Sequence, residues 1–372
     1  MSEKIDNHVR SHRERLALSQ QGLADEVGVS RQAIVAIEGG RTVPSTALGL
    51  RLARALRCTV DDLFCLRTES GLAVRLAPPG SGRERPDDGS ARVALAEIDG
   101  RWVAHRLPLD ATVAADGIVA RHASRRTAVV TPLRDSARLR SNVLIAGCAP
   151  LLGALVEHAS LSRVGVRACW LHATSGRSLD LLEGGLIHVA GLHLRDAYGG
   201  GTVDAARARF PGRRLLVANL TRWREGLVVP AGNPLGIRSC ADLLRPGLRV
   251  ARREEGSAAH ALLADQMRAE GVEKPILAGP FAASHSDVGT LVACGAADAG
   301  VAIEGVALAM GLGFVPLVEE RFDLVVPGDL AAETTVSRLL ETLDDPGFRA
   351  DAGNLPGYDT QLCGHVTTLE AA

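Results

Sequence analysis

The stretch from Val143 to Gly200 repeats one pattern: a short apolar run, a tight polar turn and a helical segment. The apolar runs are Val143–Ala146, Val164–Leu171 and Leu186–Ala190, and each has the length of a buried strand. Strands that alternate with helices form parallel sheets, because a parallel connection needs a crossover. The stretch therefore predicts an α/β domain built on a parallel sheet.

Small and nucleophilic side chains accompany each of these three runs. Cys148 follows the first run, Ser175 and Gly176 follow the second, and His188 belongs to the third. Parallel sheets bind their ligands at the carboxyl ends of the strands, where helix N-termini point. We therefore expect Cys148, Ser175 and His188 to face one cleft.

The composition is that of an ordinary globular protein with more than one domain. The chain has 372 residues and a net charge of −1, which gives no whole-chain argument for nucleic acid. Its seven cysteines include no CxxC pair, which favours reduced thiols over a disulfide or zinc framework. We find no secretory signal and no apolar run of the ~18 residues that a membrane span needs. We expect a cytoplasmic protein without membrane contact, cofactor or resident metal.

Residues 1–66 carry the start and stop signals of five short helices. Ser19 and Ser30 are suited to cap the second and third helices, because a hydroxyl accepts from the free backbone N–H groups of a first turn. Gly28 and Gly39 are suited to end them. A small all-α domain is predicted.

This segment resembles the helix-turn-helix domain of the phage-repressor-like Cro/C1 (XRE) family, over about residues 8–66. The resemblance rests on these positions: Ser19-Gln20, Leu23-Ala24, Gly28-Val29-Ser30, Ile34, Ile37-Glu38, Gly40, Pro44 and Asp61 with Leu63-Phe64. It implies that the third helix enters the major groove of double-stranded operator DNA, and that a homodimer binds two half-sites.

The resemblance also assigns residues to the DNA interface. The six positions are Gln20, Ser30, Arg31, Gln32, Val35 and Arg41. Arg31, Gln32 and Val35 would face bases, while Gln20 and Arg41 would face phosphate and Ser30 would cap the recognition helix. Arginine and glutamine suit this role because each can make paired hydrogen bonds to a base edge. A domain that has lost DNA binding remains the alternative.

Residues 67–140 change character. Residues 77–90 are rich in Pro, Gly and Ser, as linkers are, and Asp99-Gly100 separates two strand-like runs. An Asp-Gly pair in that setting is a hairpin signal. We expect a linker followed by a small β-rich connector.

Residues 141–372 resemble the cytoplasmic relatives of type II periplasmic solute-binding proteins that are fused to helix-turn-helix domains. The shared motifs are the Gly147-Cys148 turn, Ser175-Gly176, His188–Leu194, Gly226–Val229, Gly232-Asn233-Pro234, Gly256-Ser257, His285, Gly295–Asp298, Pro316-Leu317 with Glu320, and Pro356–Asp359. The resemblance implies two α/β lobes joined by two crossing strands. Lobe one would comprise about residues 141–228 and 319–372, and lobe two about residues 229–318.

Among the solute-binding relatives are proteins that bind molybdate and tungstate, and this likeness implies an oxyanion effector held between the lobes. The implied ligand-binding residues are Cys148, Ser175, Gly176, His188, Arg253, Gly256, Ser257 and His285. Small residues at helix N-termini let backbone N–H groups approach an anion, and the helix dipole favours negative charge.

The sequence departs from the relatives at two places. Ala149 stands where they often carry Asp, and Ala258-Ala259-His260 replaces a Gly-Thr-Arg run. A small organic acid is therefore one alternative ligand. A soft transition metal is another, and its candidate ligands are Cys148, His172, His188, His260 and His285.

Motifs of known catalytic machinery are missing from the sequence. It has no Gly-x-Ser-x-Gly elbow, no Walker loop and no His-Glu-x-x-His. We therefore expect a DNA-binding transcription regulator that senses a small molecule, and not an enzyme.

Overall fold

The computed structural model describes residues 4–67, 71–79, 91–108, 113–161, 166–193, 201–273 and 275–371. The chain divides into an N-terminal unit, Met1–Leu72, and a C-terminal unit, Ala73–Ala372. Within the described residues, no helix is both long and apolar enough to cross a membrane.

The N-terminal unit contains the five predicted helices. They are α1 (Val9–Arg15), α2 (Gln20–Val27), α3 (Arg31–Glu38), α4 (Thr46–Ala55) and α5 (Val60–Leu63). The Ser19 and Ser30 hydroxyls accept hydrogen bonds from the Gly22 and Ala33 N–H groups, so both predicted N-caps are confirmed. A two-stranded antiparallel ribbon, which we did not predict, joins β1 (Lys4–Asn7) to β2 (Phe64–Arg67).

The core of this unit is made by one apolar face from each helix. Leu23, Ile34, Leu52 and Leu63 are fully buried and come from α2, α3, α4 and α5. Burial of such a side chain stabilises the fold by ~1.5–3 kcal/mol. The core therefore fixes α3 against α2.

The connector is a closed five-stranded barrel. Its strands are β3 (Leu72–Leu76), β4 (Arg92–Ile98), β5 (Arg101–Arg106), β6 (Gly117–Ser124) and β7 (Thr127–Pro132), in the order β3-β5-β4-β6-β7. Asp99 and Gly100 have φ values of 50° and 69°, so they form the predicted hairpin turn between β4 and β5. Helix α6 (Ser136–Leu139) follows the barrel.

The remaining residues form two α/β lobes. Lobe I contains β8 (Val143–Gly147), α7 (Leu151–Leu161), β9 (Ala168–His172), α8 (Ser175–Glu183), β10 (Val189–Leu192) and α9 (Gly201–Arg209). Lobe II contains β12 (Val250–Ala251), α10 (Ala258–Ala269), α11 (His285–Ala293), β13 (Ala299–Ile303) and α12 (Glu304–Ala309), with a 3-10 helix at Ala241–Leu244. The C-terminal segment returns to lobe I with α13 (Gly328–Ala331), α14 (Thr334–Glu341), a 3-10 helix at Thr342–Asp344, α15 (Pro346–Asn354), β15 (Tyr358–Asp359) and β16 (Val366–Leu369).

Two long antiparallel strands cross between the lobes. They are β11 (Leu215–Val229) and β14 (Gly313–Pro327), and each has 15 residues. In lobe I, β14 pairs with β10, which pairs with β8 in parallel, and β8 pairs with β9 in parallel. In lobe II, β11 pairs with β13, which pairs with β12 in parallel. The predicted alternation of parallel strands and helices is confirmed, and so is the two-lobed architecture.

Candidate functional site

Helix α3 presents an exposed polar surface in the N-terminal unit. Arg31, Gln32 and Arg41 are exposed, and together with Val35 and Ala36 they line one concave surface. The structure thus brings together four of the six residues that the sequence assigned to DNA.

Gln20 and Ser30, the other two residues, are engaged within the unit. The Gln20 Nε2 donates to Glu38 Oε2 at 2.9 Å, and the Ser30 Oγ accepts from Ala33 N at 3.2 Å. Arg13 Nε also donates to Glu38, at 2.6 Å. Burial acts to raise the pKa of Glu38, but the hydrogen bonds from Arg13 and Gln20 outweigh it and the pKa is lowered. These bonds hold α1, α2 and α3 together.

In the C-terminal unit, helix N-termini from both lobes approach one another. Helix α8 begins at Ser175 in lobe I, and Ser257 caps α10 in lobe II. A Cβ atom added at Gly176 would lie 3.5 Å from the Gly256 carbonyl oxygen. The structure therefore brings the two predicted small-residue turns, Ser175-Gly176 and Gly256-Ser257, into contact.

The two serine hydroxyls already make hydrogen bonds inside the protein. The Ser175 Oγ accepts from His193 N at 3.1 Å and donates to the His193 carbonyl at 3.3 Å. The Ser257 Oγ donates to the Glu254 carbonyl at 2.8 Å and accepts from His260 N at 3.2 Å. Both serines are buried and shape the turns on which they lie.

Arg253 is a buried cation beside these turns. Its Nε and Nη2 atoms donate to Glu254 at 3.1 and 3.2 Å. Its Nη1 atom is buried and has no hydrogen-bond partner among the described residues. One face of the guanidinium therefore remains able to bind an anionic group.

Five ionisable side chains meet where the lobes and the crossing strands join, and we call them the interlobe cluster: Cys148, His193, Glu225, His285 and Glu320. Cys148 and His193 directly follow β8 and β10 of lobe I, and His285 opens α11 of lobe II. Glu225 lies on β11 and Glu320 on β14. All five are buried.

The ring of His193 connects the members of this cluster. Its Nδ1 atom lies 2.7 Å from Glu320 Oε2 and 3.7 Å from Glu225 Oε2. Its Nε2 atom lies 3.1 Å from Cys148 Sγ. The Nδ1 atom of His285 lies 3.9 Å from Glu225 Oε1. Sulfur, nitrogen and oxygen donors from both lobes are thus within a few ångströms of each other.

The electrostatics of the cluster follow from burial and from these contacts. Burial acts to lower the pKa of His193, but Cys148 and Glu320 outweigh it, and the pKa is raised well above its usual value. Burial and then the charge of Glu320 raise the pKa of Glu225. Burial and then Arg253 lower the pKa of His285 well below its usual value.

Aromatic side chains enclose the cluster. The Trp223 ring lies 5.2 Å from the His193 ring and 6.4 Å from the His285 ring, between ring centroids. Phe322 stacks on His193 at 5.9 Å, and Tyr358 meets the edge of Trp223 at 6.1 Å. Such a wall excludes water and strengthens electrostatic interactions inside it.

The structure places His188 outside the interlobe cluster. The residue precedes β10, so it lies at the amino end of the strand, whereas His193 lies at the carboxyl end. The His188 Nδ1 accepts a hydrogen bond from Leu144 N at 3.0 Å, and burial lowers its pKa to about 4. This histidine is a framework residue.

The metal ligands suggested from the sequence are only partly brought together. Cys148 and His285 lie in the interlobe cluster. His172 is exposed and His260 is half-buried, and neither belongs to a group of described ligand atoms within 4.8 Å of one another.

Sequence reasoning missed His193, Glu225 and Trp223 as members or neighbours of the site. His193 stands directly after the apolar run Val189–Leu192, which is the position that drew attention to Cys148 after β8. Glu225 is an acidic residue that stands directly before the apolar run Gly226–Val229 at the end of β11. Both signals were available, but our predicted third strand, Leu186–Ala190, begins and ends too early.

Comparisons with known proteins agree with this architecture. The model of the PBP superfamily domain matches residues 156–344, and a helix-turn-helix model matches residues 9–63. YvgK of Bacillus subtilis, an uncharacterized protein, is 29% identical over 232 residues, which cover 61% of this chain and 74% of YvgK. An HTH-type transcriptional regulator of Methanothermobacter thermautotrophicus is 51% identical over 59 residues, which cover 16% of this chain and 86% of the relative.

Solved structures of similar architecture include an ABC-type phosphate transport receptor from Vibrio cholerae. It is 14% identical, with a TM-score of 0.42, and the match covers 59% of this chain and 99% of the receptor. The effector binding domain of a BenM variant is 15% identical, with a TM-score of 0.41, over 59% of this chain and 99% of that domain.

Proposed function

Because this chain belongs to the PBP superfamily and carries a helix-turn-helix domain, we propose that it is a one-component transcription regulator whose two-lobed domain senses a small ligand. The observation that carries the proposal is the pairing of an exposed recognition helix with a second unit that buries unsatisfied polar groups between two lobes. Catalysis forms no part of this proposal.

The DNA-binding half rests on helix α3. Arg31 and Gln32 are exposed on its first turn, and Arg41 lies on the same concave surface. Arginine and glutamine at such positions can read guanine and adenine edges in the major groove. We propose that a homodimer binds operator DNA, because helix-turn-helix proteins read paired half-sites about one helical turn apart. This activity would place the protein in the cytoplasm.

The ligand-binding half rests on the meeting of helix N-termini between the lobes. The contact of Gly176 with Gly256 and the buried Nη1 atom of Arg253 favour an anionic group there, as the sequence suggested for a molybdate-like or tungstate-like oxyanion or a small organic acid. Two buried carboxyl groups, Glu225 and Glu320, lie in the adjoining cluster with Cys148, His193 and His285, a set of donor atoms that a metal ion can bind. A metal cation is therefore the second candidate.

Operator binding is tested first by selecting DNA fragments from a random library with the purified full chain. The dissociation constant for a selected site is then measured by fluorescence anisotropy at fixed salt. The double variant Arg31→Ala/Gln32→Ala removes two base-reading side chains, and each is worth about 1–3 kcal/mol of discrimination. We expect affinity for the selected site to fall at least 100-fold.

The matched control is Arg207→Ala, which removes an exposed arginine from α9 in the C-terminal unit. We expect it to bind the selected site like the unmodified chain. Full binding by the double variant would show that α3 does not read the operator. Failure to select any sequence would instead favour the alternative, a ligand-binding module with vestigial DNA binding.

An anionic effector is tested by repeating the anisotropy measurement with molybdate, tungstate, sulfate and small carboxylates. The Arg253→Gln variant removes the buried cation while keeping a hydrogen-bonding side chain. If the effector is an anion, at least one of these compounds changes the affinity for DNA, and Arg253→Gln loses the response. An unchanged response in Arg253→Gln would place the anion elsewhere.

A further inference from the structure

We propose that the interlobe cluster binds a first-row transition-metal ion through Cys148 Sγ, His193 Nε2 and a ring nitrogen of His285. This inference rests on the proposed function, for which it names the class of ligand. It places the ion where the sulfur and nitrogen donors of lobe I meet the imidazole of lobe II.

The donor atoms have the spacing that a metal site needs. One ligand atom from each of Cys148, His193 and His285 lies within 4.8 Å of the other two. With metal–sulfur and metal–nitrogen bonds of ~2.3 and ~2.0 Å, tetrahedral donors stand about 3.5 Å apart. The Cys148 Sγ to His193 Nε2 distance of 3.1 Å needs only a small expansion to accept an ion.

Glu320 orients His193 for this role. When a metal ion displaces the Nε2 proton of His193, the ring still donates its Nδ1 proton to Glu320, 2.7 Å away, and its Nε2 lone pair faces the site beside the Cys148 sulfur. Metal-ligating histidines usually donate their other ring N–H to a carboxylate or carbonyl in this way, which fixes the tautomer and the ring. Cys148 Sγ and His193 Nε2 thus provide two neighbouring ligands of the proposed site.

His285 supplies an independent observation. It is buried, and neither of its ring nitrogens has a hydrogen-bond partner among the described residues. A buried polar group left in this state destabilises the fold. Coordination of one nitrogen by an ion in the cluster removes that cost.

The donors select the class of ion. Thiolate and imidazole suit zinc, copper, cobalt and nickel, whereas magnesium and calcium take oxygen ligands. Glu225 offers a further oxygen donor, since its carboxyl oxygens lie 3.7 and 3.9 Å from the Nδ1 atoms of His193 and His285.

The position of the ion gives it a function in the sensor. Cys148 and His193 belong to lobe I and His285 to lobe II, while Glu225 and Glu320 lie on the crossing strands. An ion bound by all three ligands therefore joins the lobes and favours their closed arrangement. A ligand shifts such an equilibrium by its differential affinity for the two arrangements.

The test is a cobalt titration of the purified, chelator-treated full chain. Cobalt bound to a thiolate absorbs in the near ultraviolet, and tetrahedral cobalt absorbs in the visible range. We expect both bands to saturate at one cobalt per chain and to be lost when zinc is added in competition. Absence of the near-ultraviolet band from the unmodified chain would overturn the proposal.

The variant Cys148→Ser removes the thiolate and should abolish the near-ultraviolet band. The matched control is Cys169→Ser, another buried cysteine of lobe I that lies on β9 outside the cluster. It should keep the band and the stoichiometry. Loss of the band in Cys169→Ser with retention in Cys148→Ser would overturn the assignment.

The roles of His285 as a ligand and of Glu320 as a positioning residue are tested by measuring the affinity for cobalt. His285→Gln should weaken cobalt binding by more than tenfold. Glu320→Gln should weaken it by about 10–100-fold, as loss of an outer-shell carboxylate usually does. Circular dichroism before titration verifies that each variant is folded. Unchanged affinity in folded His285→Gln would overturn the site as drawn.

The two proposals fail separately. If cobalt binds as described but no metal changes the affinity for the selected DNA, the metal site is confirmed. Its proposed control of DNA binding is then overturned. If no metal binds but an anion changes that affinity, the metal site is overturned and the regulator stands.

Discussion

Gly226 is the residue at which the crossing strands come closest. A Cβ atom there would lie 2.2 Å from the Val315 carbonyl oxygen and 3.0 Å from the Pro316 Cα. These are backbone atoms of the paired strand, so they cannot move aside as the end of a side chain can. We expect Gly226→Ala to lower the free energy of unfolding by about 1–3 kcal/mol, the usual cost of overpacking.

The measurement for Gly226 is urea denaturation of the full chain. Its control is Gly353→Ala in helix α15, where an added Cβ lies no closer than 3.6 Å to any neighbour. Alanine has the higher helix propensity, so this control should lose no stability. Equal losses in the two variants would contradict the account of the crossing.

Among the single residues of the site between the lobes, only those next to recognisable turns could be predicted from the sequence. Cys148, Ser175 and Ser257 were found because small residues after strands and before helices have a known role, and the structure keeps them near the cleft. Glu225 was not found, because its role depends on pairing between β11 and β14, strands that are far apart in sequence. His193 was missed because strand boundaries predicted from sequence are uncertain by a few residues.

At the scale of elements, a buried carboxylate connects the barrel to lobe I. The Asp116 side chain accepts hydrogen bonds from Leu95 N in β4, from Asn142 Nδ2 before β8 and from Arg167 Nε before β9, at 3.1, 3.1 and 2.9 Å. Its removal leaves Arg167 and Asn142 without this partner. We expect Asp116→Ala to cost about 1–3 kcal/mol, as loss of a buried hydrogen-bonding partner does, because Arg167 is partly exposed and keeps access to water.

The control for Asp116 is Asp265→Ala. Asp265 is exposed and pairs with Arg268 on the surface of α10. Exposed ion pairs contribute ~0–1 kcal/mol, so this variant should unfold at nearly the same urea concentration as the unmodified chain. A small loss in Asp116→Ala would show that the barrel is held to lobe I by other contacts.

Two buried histidines at the same junction give a pH dependence. His105 Nε2 lies 2.6 Å from the Leu186 carbonyl, and burial lowers the pKa of His105 and of His188 to about 4. Between pH 6.5 and 4 the unfolded chain binds these protons and the folded chain does not. The free energy of unfolding should therefore fall as the pH drops through this window, by about 2 kcal/mol per histidine at pH 5.

The variants His105→Gln and His188→Asn keep a donor and an acceptor at the two bonded positions but cannot titrate in this range. We expect each to lose less stability between pH 7 and pH 5 than the unmodified chain does. The exposed His365→Gln is the control and should leave the pH dependence unchanged. An identical pH dependence in all four proteins would contradict the assignment of neutral, buried histidines.

Element types were predictable where the pattern is local. The five helices of the first unit and the hairpin at Asp99-Gly100 follow from caps and turn residues that stand within a few positions of one another. The strand order of the barrel was not predictable, because β3 pairs in parallel with β5 and not with β4, the next strand in sequence. Local signals carry no information about such partners.

At the scale of the whole molecule, a ligand-controlled regulator requires energetic coupling between the two units. Allosteric coupling typically amounts to 1–3 kcal/mol, which is 5–150-fold in affinity, and it is reciprocal. If the metal changes DNA affinity by a given factor, DNA must change metal affinity by the same factor. The order of the domains could be predicted from sequence motifs, whereas the sign of this coupling could not, since it belongs to an equilibrium between two states.

The most direct test of the central claim is the affinity of the full chain for its selected DNA site, measured by anisotropy in chelator-treated, zinc-loaded and tungstate-supplemented samples. We predict at least a tenfold difference between the chelated and zinc-loaded samples, with the same factor recovered in zinc affinity with and without DNA. Identical DNA affinity in all three samples would contradict the claim that the two-lobed domain controls the recognition helix.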